Sequence, residues 1–163
     1  MKSQEILTKL ILDVGTQLGI DGLEPDEDGL CVFAIDEVPV ALQIEDGQMR
    51  LVGFVAEIAE GEENPELSFS AAQWRAVMEI NKTLATSQPF SAVAYDQQTE
   101  CVILIQPVLE SDMEAGQIVV LLEGFIERLE KTRLLAGQIQ EADANRDASP
   151  ISSGETLPSG MFV

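Results

Sequence analysis

The chain contains no histidine, and its 163 residues carry only 9 lysines and arginines against 29 aspartates and glutamates. Without imidazole there is no Ser-His-Asp or Cys-His nucleophile, no HExxH-type metal site, and none of the general bases most used near pH 7. The shortage of cations leaves a formal charge of −20. Phosphate backbones and anionic lipid surfaces are repelled by such a field, so neither nucleic acid nor membrane is expected as a partner. Cysteine is scarce too: Cys31 and Cys101 each lie in an apolar run with no CxxC pair. They read as buried thiols of a reducing compartment and not as a disulfide. Strongly apolar stretches such as Cys101–Ile105 and Ile118–Leu122 are five residues long, far below the roughly 20 that cross a bilayer. Phosphate-cradling motifs of the GxxxxGK[ST] or GxGxxG type are also missing. The expectation is a soluble cytoplasmic protein.

What is present suffices for one folded domain, since 45% of the residues are apolar despite the charge, and acidic disordered chains lack that hydrophobic material. Ser3 is a candidate N-cap, followed by Ile6, Leu10, Val14 and Leu18 at i, i+4 spacing with Leu7 and Ile11 beside them, an amphipathic helix that Gly19 ends. Residues 30–35, 38–45 and 49–58 read as three antiparallel strands, with Asp46-Gly47 as a hairpin turn. A second helix starts at a capping box of Ser70 and Gln73 with Phe69 and Trp74 as staple, runs to about Ser87, and is stopped by Pro89. Residues 90–95 and 100–108 form a second hairpin. Ser111 and Glu114 make another capping box before a helix carrying Ile118, Leu122, Phe125, Ile126 and Leu129 toward Ile139. The order α-β-β-β-α-β-β-α predicts an α+β fold, an antiparallel sheet of about five strands with helices packed on it. Residues 1–141 form the domain, and the Ala-, Ser-, Pro- and Gly-rich stretch 142–163 is expected to be a flexible tail.

Two features bear on function. Strands 30–35, 52–55 and 101–105 are apolar at successive positions instead of alternating, so a sheet with helices on one face needs a second cover from another subunit or a partner. From Asp21 to Glu66 there are fourteen carboxylates and one base, Arg50, a field that attracts basic segments as well as keeping the chain soluble. Asp26-Glu27-Asp28-Gly29 resembles part of a calcium loop, but with Gly29 at its sixth position the last ligand falls on Ile35, so no metal is expected there. Carboxylate pairs such as Asp36-Glu37 and Glu62-Glu63 arise by chance in so acidic a chain and do not specify catalysis. Gly15 offers room for close packing against another helix.

A small acidic chain with this element order, opening on Ser3-Gln4-Glu5-Ile6-Leu7 and carrying the strand pair 38–45 and 49–58, resembles the class I type III secretion chaperones, the Tir-chaperone-like family. The resemblance spans about residues 3–135. It implies a homodimer built by the middle helix and the strand after it, here Trp74, Val77, Met78, Val93 and Tyr95. It also implies, in a bacterial cytoplasm, a partner that is the N-terminal segment of a secreted effector, held extended on apolar patches of the first helix and the strands. The docking positions are expected among Leu7, Leu10, Leu18, Leu30, Val32 and Phe33, with no catalytic residue, cofactor or metal. Two other readings stay open: a dimeric regulator of the same fold that sequesters a regulatory protein, and a carboxylate- and metal-dependent hydrolase.

Overall fold

The computed structural model describes residues 4–57 and 71–147. Ser3, the Glu62-Glu63 pair, Phe69, Ser70 and residues 148–163 lie outside them. The elements follow the expected order: α1 (Gln4–Leu18), β1 (Leu30–Ile35), β2 (Val38–Glu45), β3 (Gln48–Glu57), α2 (Ala71–Ala85), β4 (Ala92–Asp96), β5 (Cys101–Val108) and α3 (Ala115–Asp147). The five strands form one sheet in the order β1-β2-β3-β5-β4, antiparallel at every pairing.

Two-residue turns set the first registers. Asp36 and Glu37 join β1 to β2 with φ of 48° and 69°, and Asp46 and Gly47 join β2 to β3 with 51° and 72°. Positive φ at both central residues is the turn whose twist matches that of the strands. The Asp36-Glu37 pair is therefore a turn. In the acidic loop the Asp26 carboxylate accepts the amides of Asp28 at 3.0 Å and Leu30 at 2.8 Å through the same oxygen, which organises the entry to β1. Gly29, at φ 78°, brings its carbonyl to the Ile44 amide at 2.8 Å, and a Cβ there would lie 2.3 Å from the Ile44 oxygen.

α1 buries Leu7, Leu10, Ile11 and Val14, but Ile6 is 53% exposed and Leu18 only half-buried. The inward stripe thus runs through Leu7, Leu10, Ile11 and Val14, and of the expected i, i+4 series only its two ends, Ile6 and Leu18, fall outside it. Gly19 ends the helix at φ 71°, with the Ile20 amide donating to the Gly15 carbonyl at 2.8 Å. Gly15 does give close approach, but to the returning loop: a Cβ on it would sit 2.7 Å from that of Leu23.

α3 lies on the sheet through Ile118, Leu122, Phe125 and Leu129, all fully buried. It comes this close because β3 has glycine beneath it, where a Cβ on Gly53 would lie 2.5 Å from Leu129 Cδ2. A bulge at Phe54–Ala56 breaks the β3–β5 register, and Arg133 Nε donates to the Phe54 carbonyl there at 2.6 Å. The Ser111 capping box is not made. Ser111 sits inside a 3-10 turn over Glu110–Asp112 with its hydroxyl on Asp112 at 3.1 Å, and the Glu114 carbonyl takes the Ile118 amide at 2.9 Å. The helix also continues to Asp147, beyond the composition change at Glu141. α2 packs on α3 and β4, burying Val77 and Leu84.

Candidate functional site

Because side chains alternate along a strand, parity assigns each apolar residue to a face. Cys31 and Phe33 of β1, Val40, Leu42 and Ile44 of β2, Met49 and Leu51 of β3, Val93 of β4 and Val102, Leu104 and Val108 of β5 join the core under the helices. The alternate residues form a separate apolar cluster on the other face: Ala41, Val52, Cys101 and Ile103, with Leu30, Phe54, Ala94 and Ile105 against them. No described helix lies on this second face. The cluster's residues other than Cys101 line a hollow of about 410 Å³ together with polar residues of the same face, and Val32 stands 56% exposed on the same side of β1.

The rim of the hollow is charged. Asp26, Asp28, Glu45 and Asp96 border it, and Arg50 from its floor pairs with Glu45. Asp96 also caps the β4–β5 loop, accepting the Gln98 amide at 3.1 Å and the Thr99 hydroxyl at 2.6 Å. An apolar floor inside an acidic rim with one already paired cation suits a segment that alternates apolar and basic side chains. No group of three or more metal-ligating side chains is assembled among the described residues.

The two cysteines are free, buried, and on opposite faces of the sheet. Burial first, and the Asp26 carboxylate second, push the Cys31 thiol above its ordinary range. Cys101 donates to the Thr99 carbonyl at 3.2 Å.

Of the six docking positions expected from sequence, the structure places Leu7, Leu10 and Phe33 in the helix-side core, leaves Leu18 half-buried at the end of α1, and puts Leu30 and Val32 on the open face. Sequence reasoning missed Val52, Phe54, Ile103 and Ile105 as members of that face. The signal was present, because both strands read as apolar at consecutive positions. Of the five interface positions, Val77 and Val93 are buried within the single chain, Trp74 and Tyr95 are half-buried, and Met78 is 61% exposed.

Comparison with known proteins agrees with this geometry. A model of the Tir chaperone protein (CesT) family matches residues 9–133. No curated protein matches the chain. Among solved structures, the chain is similar to one in the ExsC–ExsE complex, with 18% identity and a TM-score of 0.64 over 83% of this chain and 97% of that one. It is similar also to one in the HopA1–SchA chaperone–effector complex, at 13% identity and TM-score 0.57 over 82% and 98%. A third is the complex of the Yersinia pestis type III secretion chaperone SycH with a stable fragment of YscM2, at 18% identity and TM-score 0.52 over 77% and 98%. At these identities the likeness is one of fold.

Proposed function

We propose that this chain, which belongs to the Tir chaperone protein (CesT) family, is a type III secretion chaperone that holds the N-terminal segment of a secreted effector in extended form. The observation that supports the binding mode is the second apolar cluster of the sheet, on which no helix lies among the described residues and which carboxylates border. A segment laid there buries apolar side chains that would otherwise drive aggregation, and its own basic residues meet the acidic rim. Ordering an unfolded segment costs conformational entropy, so a broad surface is needed and no reacting group is. The protein is on this reading not an enzyme, and it works in the bacterial cytoplasm. The solved relatives include chaperone–effector complexes, which supports the same kind of partner here.

The homodimer is proposed through the side of α2 that carries Trp74 and Met78 and the neighbouring end of β4 with Tyr95. Val77 and Val93, already within the core of one chain, support those surfaces from beneath. Co-purification from the native cell with mass spectrometry, followed by cross-linking of the captured partner, tests the reading. It expects cross-links from the partner's N-terminal segment to β1, β3 and β5. A partner attached only through its folded domain would contradict it.

A further inference from the structure

A second apolar hollow, of about 350 Å³, lies between α2 and α3. Ile80 and Leu84 from α2 and Leu135 from α3 supply its apolar lining, and Glu79, Arg128 and Lys131 are its charged members. Its electrostatics are opposite to those of the sheet face. The chain has only 9 cations, and four of them, Lys82, Arg128, Lys131 and Arg133, fall on the end of α2 and the middle of α3. Arg133 is committed to the Phe54 carbonyl. Lys82 lies 3.7 Å from Glu79, the one carboxylate among the described residues that line the hollow.

Arg128 and Lys131 form no ion pair among the described residues, and the one carboxylate that acts on Arg128 is that of its chain neighbour Glu127. One terminal nitrogen of Arg128 donates to the side-chain oxygen of Gln106, which is wholly buried, while Arg128 Nε is buried with no acceptor. Burial lowers the pKa of that guanidinium, and the Glu127 carboxylate offsets the shift only in part. Lys131 is exposed and has no partner among the described residues. A guanidinium and an ammonium beside an apolar hollow complement a carboxylate adjacent to a large apolar side chain.

We propose that the α2–α3 groove is a second docking site, taken by a partner segment in which carboxylates neighbour leucine- or phenylalanine-like side chains. The site does not rest on the effector reading. It also stays open in the dimer proposed above. At about 100° per residue, Glu79, Ile80 and Thr83 sit some 100° to 160° round α2 from Met78, toward α3. The chain thus offers two surfaces of opposite selectivity, an acid-rimmed sheet face for basic apolar segments and a cation-bearing groove for acidic ones.

Fluorescence polarisation of the full chain with two short fluorescein-labelled peptides tests this. One alternates glutamate with leucine and phenylalanine, and the other has lysine at every glutamate. Despite the net charge of −20, the acidic peptide is expected to bind the groove. Lys131→Glu should weaken it at least about tenfold, while Lys9→Glu and the sheet-face change Val32→Asp leave it unchanged and all variants keep the wild-type melt. Failure of the acidic peptide to bind, binding indifferent to Lys131→Glu, or loss of binding in Val32→Asp overturns the proposal. So does Leu135→Glu converting the native species to a smaller one by sedimentation, because the groove is then covered by a second copy.

Discussion

The Asn81 side chain on α2 closes both backbone groups of Val93 on β4: its Nδ2 donates to the Val93 carbonyl at 2.9 Å, and its Oδ1 accepts the Val93 amide at 2.6 Å. β4 is an edge strand, and an edge with free amides and carbonyls recruits other strands. Asn81 removes that option at Val93 and locks α2 to the sheet. A second strand cannot pair with β4 at Val93 itself while these two bonds are made.

Replacing Asn81 by leucine leaves a half-buried donor and acceptor unsatisfied, at a cost of about 1–3 kcal/mol. Urea unfolding should show this loss, and Asn81→Asp should also fall short of wild type because it keeps the acceptor only. Wild-type stability in Asn81→Leu would mean the two bonds contribute nothing.

Two glycines should differ in how badly they tolerate alanine. At Gly53 the added carbon meets Leu129 Cδ2 at 2.5 Å, a side-chain end that can shift, so the overpacking cost is about 1–3 kcal/mol. At Gly29 it meets the Ile44 backbone oxygen at 2.3 Å with φ at 78°, and nothing can yield. Gly29→Ala should be recovered unfolded or not at all, whereas Gly53→Ala melts cooperatively at a lower temperature.

These cases show what was legible in the sequence. Strands and hairpins could be read because Asp46-Gly47 and the β-branched runs declare themselves within a few residues, and the element order needed nothing more. The roles of Gly53 and Asn81 were not legible, since each exists only once α3 or α2 lies against a strand distant in the chain. Ser111 misled because a capping box is a local pattern, and the structure uses the same residues for a 3-10 turn one step earlier. In α1 the stripe of Leu7, Leu10, Ile11 and Val14 was legible, yet the exposure of Ile6, about 100° round the helix from Leu7, depends on where the sheet lies. The candidate site was visible as a surplus of apolar residues on three strands, but dividing core from open face needed the registers.

Met78 and Val77 should separate folding from assembly. Met78 is 61% exposed and Val77 is 6% exposed in the core. Sedimentation of Met78→Glu should show a folded monomer, while Val77→Glu loses its cooperative melt. A Met78→Glu protein with unchanged mass would place the subunit contact elsewhere.

Burial, and behind it the Asp26 carboxylate, raise the Cys31 thiol above its ordinary value in the folded chain, so the unfolded chain releases this proton first as pH increases. Its contribution to stability is therefore complete below about pH 9 and is lost as pH climbs through the folded value. Urea midpoints should fall more steeply above that pH in wild type than in Cys31→Ala. Parallel slopes in the two proteins would contradict the assignment.

The central claim is that the open sheet face binds the client while the helix-side face only holds the fold, and one paired measurement tests it: melting temperature and client affinity for substitutions on the two faces. Val32→Asp and Ile105→Asp should keep the melting temperature and weaken binding of the co-purified effector segment by at least about 1–2 kcal/mol each. Leu7→Asp and Phe33→Asp, whose side chains are buried under the helices, should unfold the protein. If instead every substitution that lowers affinity lowers stability in proportion, or if Val32→Asp and Ile105→Asp bind the segment as wild type does, the open face is not the docking surface.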